Sequence, residues 1–169
     1  DGTWERLLRA FSQFKKWQQS GLQLVLTGPV DIDDQEDFRE KLDAYKYRKD
    51  VAWLSDAGTD EKKQLASAAF ALLVSDNSFA ARLGLLKAFR ASIPVITVKD
   101  PLMEEYAGDA VLYADWTDPA SISKHMITLY KNEDLSNSLV AKAKERVAAL
   151  SWQRSLDELY NHLIALAEH

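Results

Sequence analysis

The spacing of hydrophobic positions changes along the chain, and each change marks an element. From Trp4 to Trp17 the apolar residues Trp4, Leu7, Leu8, Phe11, Phe14 and Trp17 recur at intervals of three and four, the period of an amphipathic helix. Gly21 ends that pattern. Leu22, Leu24, Val25 and Leu26 then make a short apolar run closed by Gly28 and Pro29, as expected of a central parallel strand buried on both faces. An acidic loop leads into a surface helix over Asp34 to Tyr47, with Phe38, Leu42 and Tyr45 on one side, and Val51 to Leu54 reads as a short strand.

The alternation continues. A turn over Ser55 to Thr59 precedes a helix over 60–69, and Phe70 to Val74 supplies the next strand. Phe79 to Ala91 keeps Leu83, Leu86 and Phe89 near one face, and Ile93 to Val98 is again a strand, with Pro94 near its start. After a short helix or turn over Asp100 to Gly108 and a last strand over Asp109 to Tyr113, three helical patterns close the chain: Asp118 to Lys131, Leu135 to Leu150 and Ser151 to Ala167. Asp118 is an N-cap with Pro119 in the first turn. Short strands alternating with longer helices require crossover connections. The expectation is therefore one α/β domain over 1–169, a doubly wound, Rossmann-like parallel sheet with extra C-terminal helices. Ligands of such sheets sit at the carboxyl ends of the strands, which points to the loops Thr27–Asp33, Ser55–Asp60, Ser75–Phe79 and Lys99–Glu104.

Composition narrows the function classes. The 169 residues are 47% hydrophobic, enough for one core, and contain no cysteine, so thiol chemistry, disulfides and Cys-ligated zinc are excluded. A net charge of −5 argues against general adhesion to nucleic acid or to an anionic membrane and leaves room for a local basic pocket. No apolar run reaches the length of a membrane helix and no signal-peptide layout opens the chain, so a cytoplasmic setting is expected. The start at Asp1, at the edge of a helical pattern, is expected of a piece of a longer chain.

Few residues carry chemistry by spacing alone. Gly28-Pro29 is either a phosphate-facing turn or a tight strand exit, and it lacks the spaced glycines of a Walker loop or dinucleotide fingerprint. Asp31, Asp33 and Asp34, with Asp76 and Lys99 after later strands, evoke a response-regulator receiver, but the acids fall on the wrong strand, and they read better as charge at a helix start. Lys99 and Arg82 are either an anion site near strand ends or solvated surface cations. His125, His162 and His169 have no acid–base partner at suitable spacing and are expected at the surface. Of the five tryptophans, Trp4, Trp17, Trp53 and Trp152 are expected at core or corner positions, with Trp116 as the exposed aromatic platform.

Several segments resemble the nucleotide-sugar-binding C-terminal domain of GT-B glycosyltransferases of retaining family 4, or group 1. LQLVLTG looks like the family's glycine-ended strand, VAWLS its "V-x-F-L-G" strand, and KKQLASAAFALLVSD its "L-x-x-L-Y-x-x-A-D-x-x-V-x-P-S" stretch. LGLLKAFRASIPVITVKDPLMEEYAGDAVLYAD is similar to the following run, through the Gly108-Asp109-Ala110 turn, and Asp118-Pro119 and Ser151-Trp152 match its tail. The resemblance implies a transferase of polysaccharide biosynthesis that moves a sugar from a UDP- or GDP-sugar to a saccharide or lipid-linked acceptor. It implies no metal and no cofactor beyond the donor. The acceptor would be held by an N-terminal domain of the parent chain, the parent alone would associate peripherally with a membrane, and this portion would not turn over by itself.

One motif departs from the family. Its glutamate pair, within "E-G-F-G-L-P-x-L-E", falls on Phe79 and Lys87, and its glycines on Ala80 and Arg82. Phe79 accepts no hydrogen bond, and a lysine offers a point charge where a carboxylate would grip two ribose hydroxyls. Read as plain sequence, Phe79 is a core contact after a strand and Lys87 a surface charge. Only Asp1-Gly2 stands where the family has its Arg and Lys clamp on the pyrophosphate. The resemblance places donor contacts at Gly28, Pro29, Ser55, Ser75, Asp76, Asn77, Ser78, Phe79, Leu83 and Lys87, and assigns no catalytic residue. Loss of both glutamates also suits a second class, a non-catalytic interaction or regulatory module on a glycosyltransferase fold.

Overall fold

The structure, a computed structural model, describes residues 2–28, 35–149 and the helical positions Leu156, Tyr160, Leu163 and Ile164. In chain order the elements are α1 (Thr3–Gln18), β1 (Leu24–Thr27), α2 (Gln35–Asp43), β2 (Val51–Leu54), α3 (Thr59–Ala68), β3 (Leu72–Val74), α4 (Phe79–Arg90), β4 (Val95–Val98), α5 (Pro101–Ala107), β5 (Leu112–Ala114), α6 (Pro119–Lys131) and α7 (Glu133–Ala149). A single 3-10 turn, Arg48–Asp50, leads into β2. Every strand pairing is parallel, so the α/β class expected from the alternation holds. The Ser151-Trp152 corner, His162, His169 and most of the last predicted helix lie outside the described residues. Among the described residues, no helix is long and apolar enough to cross a membrane.

The chain forms two compact units. The first comprises the chain up to Ala69 together with Asp115–Lys131, and the second comprises Phe70–Ala114 and the chain from Asn132 onward.

In the first unit, β1 pairs with β2 from Leu24 opposite Val51 to Thr27 opposite Leu54. β1 is not buried on both faces as its apolar run suggested: Leu24 is buried, but Val25 and Thr27 are exposed, because alternate side chains point to opposite faces of this two-stranded sheet. The Phe38 ring, on α2, is buried edge-on between Trp4 and Trp53, 4.7 Å from each centroid. Phe14 on α1 meets Tyr130 on α6 edge-to-face at 5.6 Å. Tyr45 donates to the Leu8 carbonyl and accepts from Ser12, both at 2.8 Å, and burial raises its phenol pKa.

Two tryptophans fall the other way round from expectation. Trp17 is 69% exposed and Trp116 only 6%. At about 100° per residue the stripe made by Leu8 and Phe11 continues at position 15, not 17. Lys15 therefore occupies the buried place. Its ammonium lies 3.0 Å from Asp50 and donates to the Ser20 and Leu22 carbonyls, which settles a cation that burial alone would exclude. Trp116 is drawn in because its loop is tight: Asp115 accepts from the backbone and hydroxyl of Thr117, and Asp118 N–H returns to the Asp115 carbonyl.

In the second unit the sheet order is β3-β4-β5, with Leu72 opposite Val95 and Ile96 opposite Leu112. Leu85, Ala88 and Phe89 of α4, Val95 and Ile96 of β4, and Met103 and Ala107 of α5 are buried. The Gly108-Asp109-Ala110 turn is pinned by α7. Lys142 pairs with Asp109 at 2.7 Å, and Arg146 donates to the Glu105 carbonyl at 2.8 Å. Gly108 has φ +54° and ψ −128°, a backbone conformation that suits glycine, and the Tyr113 hydroxyl donates to its carbonyl at 2.7 Å.

Candidate functional site

The carboxyl ends of the strands carry the residues singled out above. In the second unit, the chain leaves β3 at Val74 and builds the start of α4 from its own side chains. Asp76 Oδ1 accepts from Ser78 N–H at 2.8 Å, forming an Asx turn. Ser78 then caps the helix, its Oγ accepting from Ala81 N–H at 3.1 Å, and Arg82 ties the loop by donating to the Asn77 carbonyl at 2.8 Å. Asp76, Ser78 and the backbone of Asn77 are thus placed by local turn chemistry, with Asp76 and Asn77 exposed and Ser75 half-buried.

Phe79 opens α4 and is 75% exposed, which corrects the expectation of a core contact. The buried side of α4 is set by Leu85, Ala88 and Phe89, and at about 100° per residue Phe79 faces the other way. Leu83 and Lys87 follow at successive turns of that outer face and are exposed as well. The two positions that hold glutamates in the resembling family therefore share one accessible helix face, about 12 Å apart along the axis. Lys87 is the surface charge expected of it.

The sequence pointed to the segment Lys99–Glu104 but singled out neither Leu102 nor Tyr106 on the neighbouring α5. Leu102, after the loop that leaves β4, is exposed, and the Arg82 guanidinium lies over the Tyr106 ring at 5.7 Å. The available signal was the pair Leu102 and Tyr106, one turn apart on a helix whose buried face is set by Met103 and Ala107. Asp100 caps α5 by accepting from Leu102 N–H at 2.9 Å, and Lys99 lies 3.8 Å from Glu104. Arg82 and Lys99, considered for an anion site, are thus engaged within the protein.

In the first unit, Gly28 and Ser55 lie at the ends of β1 and β2 and are linked through the ladder, Gly28 N–H donating to the Leu54 carbonyl at 3.3 Å. Gly28 has φ +113°, and among the described residues a β-carbon there would meet nothing within 4 Å. Its carbonyl accepts from the Trp53 indole at 3.1 Å. Ser55 donates to Asp56 at 3.0 Å. Pro29 and the acids Asp31, Asp33 and Asp34 lie outside the described residues, and His125 is half-buried on α6.

Two clefts of about 450 Å³ open in the first unit, one against Trp4, Arg9 and Lys41 and the other against Lys16, Lys46 and Tyr47. Among the described residues, neither is lined by the donor contacts expected from the resemblance. In the first cleft Lys41 bridges Glu5 and Asp37, both at 2.7 Å, which raises its pKa to about 12 and lowers that of Glu5.

Parallel strands with turn-capped helices at their carboxyl ends define a Rossmann-like α/β fold, and the sequence assigns it further. Residues 4–146 match the family of glycosyl transferases, group 1, and the chain belongs to that family. Solved structures that share the fold include sucrose-phosphate synthase from Thermosynechococcus elongatus, at TM-score 0.72 and 17% identity, and WaaG, a glycosyltransferase involved in lipopolysaccharide biosynthesis, at TM-score 0.67 and 22% identity. Each comparison covers 95% of this chain, but only 43% and 42% of those proteins, so the chain spans less than half their length. No curated protein sequence matches the chain.

Proposed function

We propose that this chain is the donor-binding portion of a retaining glycosyltransferase, which takes a UDP- or GDP-sugar and passes the sugar to a saccharide or lipid-linked acceptor held elsewhere in a longer protein. The observation that carries the reading is the family match over 4–146. In this reading Ser55, the loop from Ser75 to Ser78 and the backbone near Leu83 meet the base and ribose, with Lys87 near the ribose or a phosphate, in a cytoplasmic setting. Departure of the diphosphate needs electrostatic support, which the remainder of the parent would complete without a metal.

The exposure of Phe79 and Leu83 favours a second reading. An apolar face where the family grips a polar donor suits a module that docks a partner and no longer binds the sugar.

Titration of the chain with UDP, GDP and their sugars, followed by NMR, separates the two. Saturable shifts around residues 75–87 with sub-millimolar affinity, about −4 to −6 kcal/mol, are expected of a donor site. Silence from the wild type, with binding gained by Lys87→Glu, supports the docking module.

A further inference from the structure

The amino-terminal ends of β1 and β2 carry a cluster that the donor reading leaves unused. α1 ends in Lys15, Lys16 and Trp17, and the turn before β2 contributes Lys46, Tyr47, Arg48 and Lys49. The second 450 Å³ cleft brings the two segments together, with Lys16, Gln19, Lys46 and Tyr47 around the pair of buried Lys15 and half-buried Asp50. Five of the chain's 21 lysines and arginines stand in these two short segments, against one acid, in a protein of net charge −5. Lys15 is taken by Asp50 and Arg48 by Asp43, each at 3.0 Å. Lys16, Lys46 and Lys49 are exposed and, among the described residues, enter no ion pair.

The aromatic groups fix the character of the patch. Lys16 Nζ lies 5.9 Å from the Trp17 ring centre and Lys46 Nζ 5.2 Å from that of Tyr47. An indole exposed beside lysines is the combination that suits a bilayer interface: the ring sits at headgroup depth, and the ammonium groups reach lipid phosphates. A polyanion such as nucleic acid would meet the same lysines, and the acidic remainder of the chain opposes it and an anionic bilayer alike; the bilayer interface is favoured because it also takes the indole at headgroup depth. We propose that this edge docks on an anionic bilayer surface through Lys16, Trp17 and Lys46, with Lys49 adding charge. The patch lies at the opposite ends of β1 and β2 from Gly28 and Ser55, so docking leaves that carboxyl edge open.

The test is flotation of the 169-residue chain with vesicles of phosphatidylcholine alone and with 40% phosphatidylglycerol, alongside NMR titrations with inorganic phosphate and with a single-stranded oligonucleotide. Retention on the anionic vesicles only, weakened by salt, is expected. Lys16→Glu/Lys46→Glu should lower it at least tenfold and Trp17→Ala several-fold, with thermal melting unchanged as the folding control. Trp17→Phe should retain most of the binding. No retention on anionic vesicles overturns the proposal, as does retention equal in the Lys16→Glu/Lys46→Glu protein. Saturable phosphate binding without vesicle binding assigns the cleft to a soluble anion instead, and oligonucleotide binding as strong as vesicle binding overturns the lipid assignment.

Discussion

The Arg146 guanidinium fills the space beside Gly108 that a β-carbon would need, with Nη2 only 2.6 Å from where that carbon would lie. The same guanidinium holds the Glu105 carbonyl, so it cannot withdraw without releasing the end of α5. Together with the positive φ, this makes Gly108 the position least able to take a side chain. Gly108→Ala should destabilise the protein by about 1–3 kcal/mol. Gly84, inside α4 with no described residue within 4 Å of its β-position, should respond oppositely, Gly84→Ala adding about 0.5–1 kcal/mol. Urea unfolding of both variants checks the contrast.

Phe79 and Phe89 bracket α4 on opposite faces. Phe79→Ala should change stability by less than about 0.5 kcal/mol. Phe89→Ala, at a fully buried position, should cost about 3–5 kcal/mol. Comparable costs in denaturant melts would show that Phe79 is covered in solution.

Lys142 holds the Asp109 carboxyl below its ordinary value of 3.8, first through their hydrogen bond and then through its charge. A depressed folded-state pKa means that the pair's contribution is present above the unfolded value and lost as pH falls through the folded one. Both side chains are well exposed, so the effect is small and salt-sensitive. In Lys142→Met, the Asp109 titration followed by carboxyl NMR should move up toward the ordinary value.

Asp50 answers the buried Lys15 ammonium. Asp50→Asn should cost about 1–3 kcal/mol, since a charged donor then keeps only carbonyl partners. In a Lys15→Met background the same change should cost much less, and a double-mutant cycle measures the difference.

The elements themselves were readable because helix and strand periods differ strongly. α1, β2, α4 and α6 fall within a residue or two of where the pattern placed them. Side-chain direction was harder to read. Counting steps of three from Phe11 carries the apolar stripe on to Trp17, whereas the drift of a real helix gives the buried place to Lys15. The exposure of Phe79 was legible in principle from the phase of Leu85 and Phe89, but grouping Leu83 with Leu86 and Phe89 turned the apolar face by about one position, about 100°. Burial of Trp116 was not, since it depends on where two aspartate turns aim a loop. For the candidate site, strand alternation located the loops, but nothing in the residue types between Ser75 and Ser78 names a ligand, because their polar groups are largely spent on capping α4.

The path of the chain between its two units has a consequence for synthesis. Of the elements described, α1 is made before the others, yet the Tyr130 ring that closes over Phe14 arrives only after the whole three-stranded sheet has been made. Until then the early helix keeps an apolar flank open, and closing so long a stretch of chain is entropically slow. Truncations ending before Lys131 should therefore be prone to aggregation, and the first unit is better excised as Asp115–Lys131 rejoined to the leading segment than as the leading segment alone.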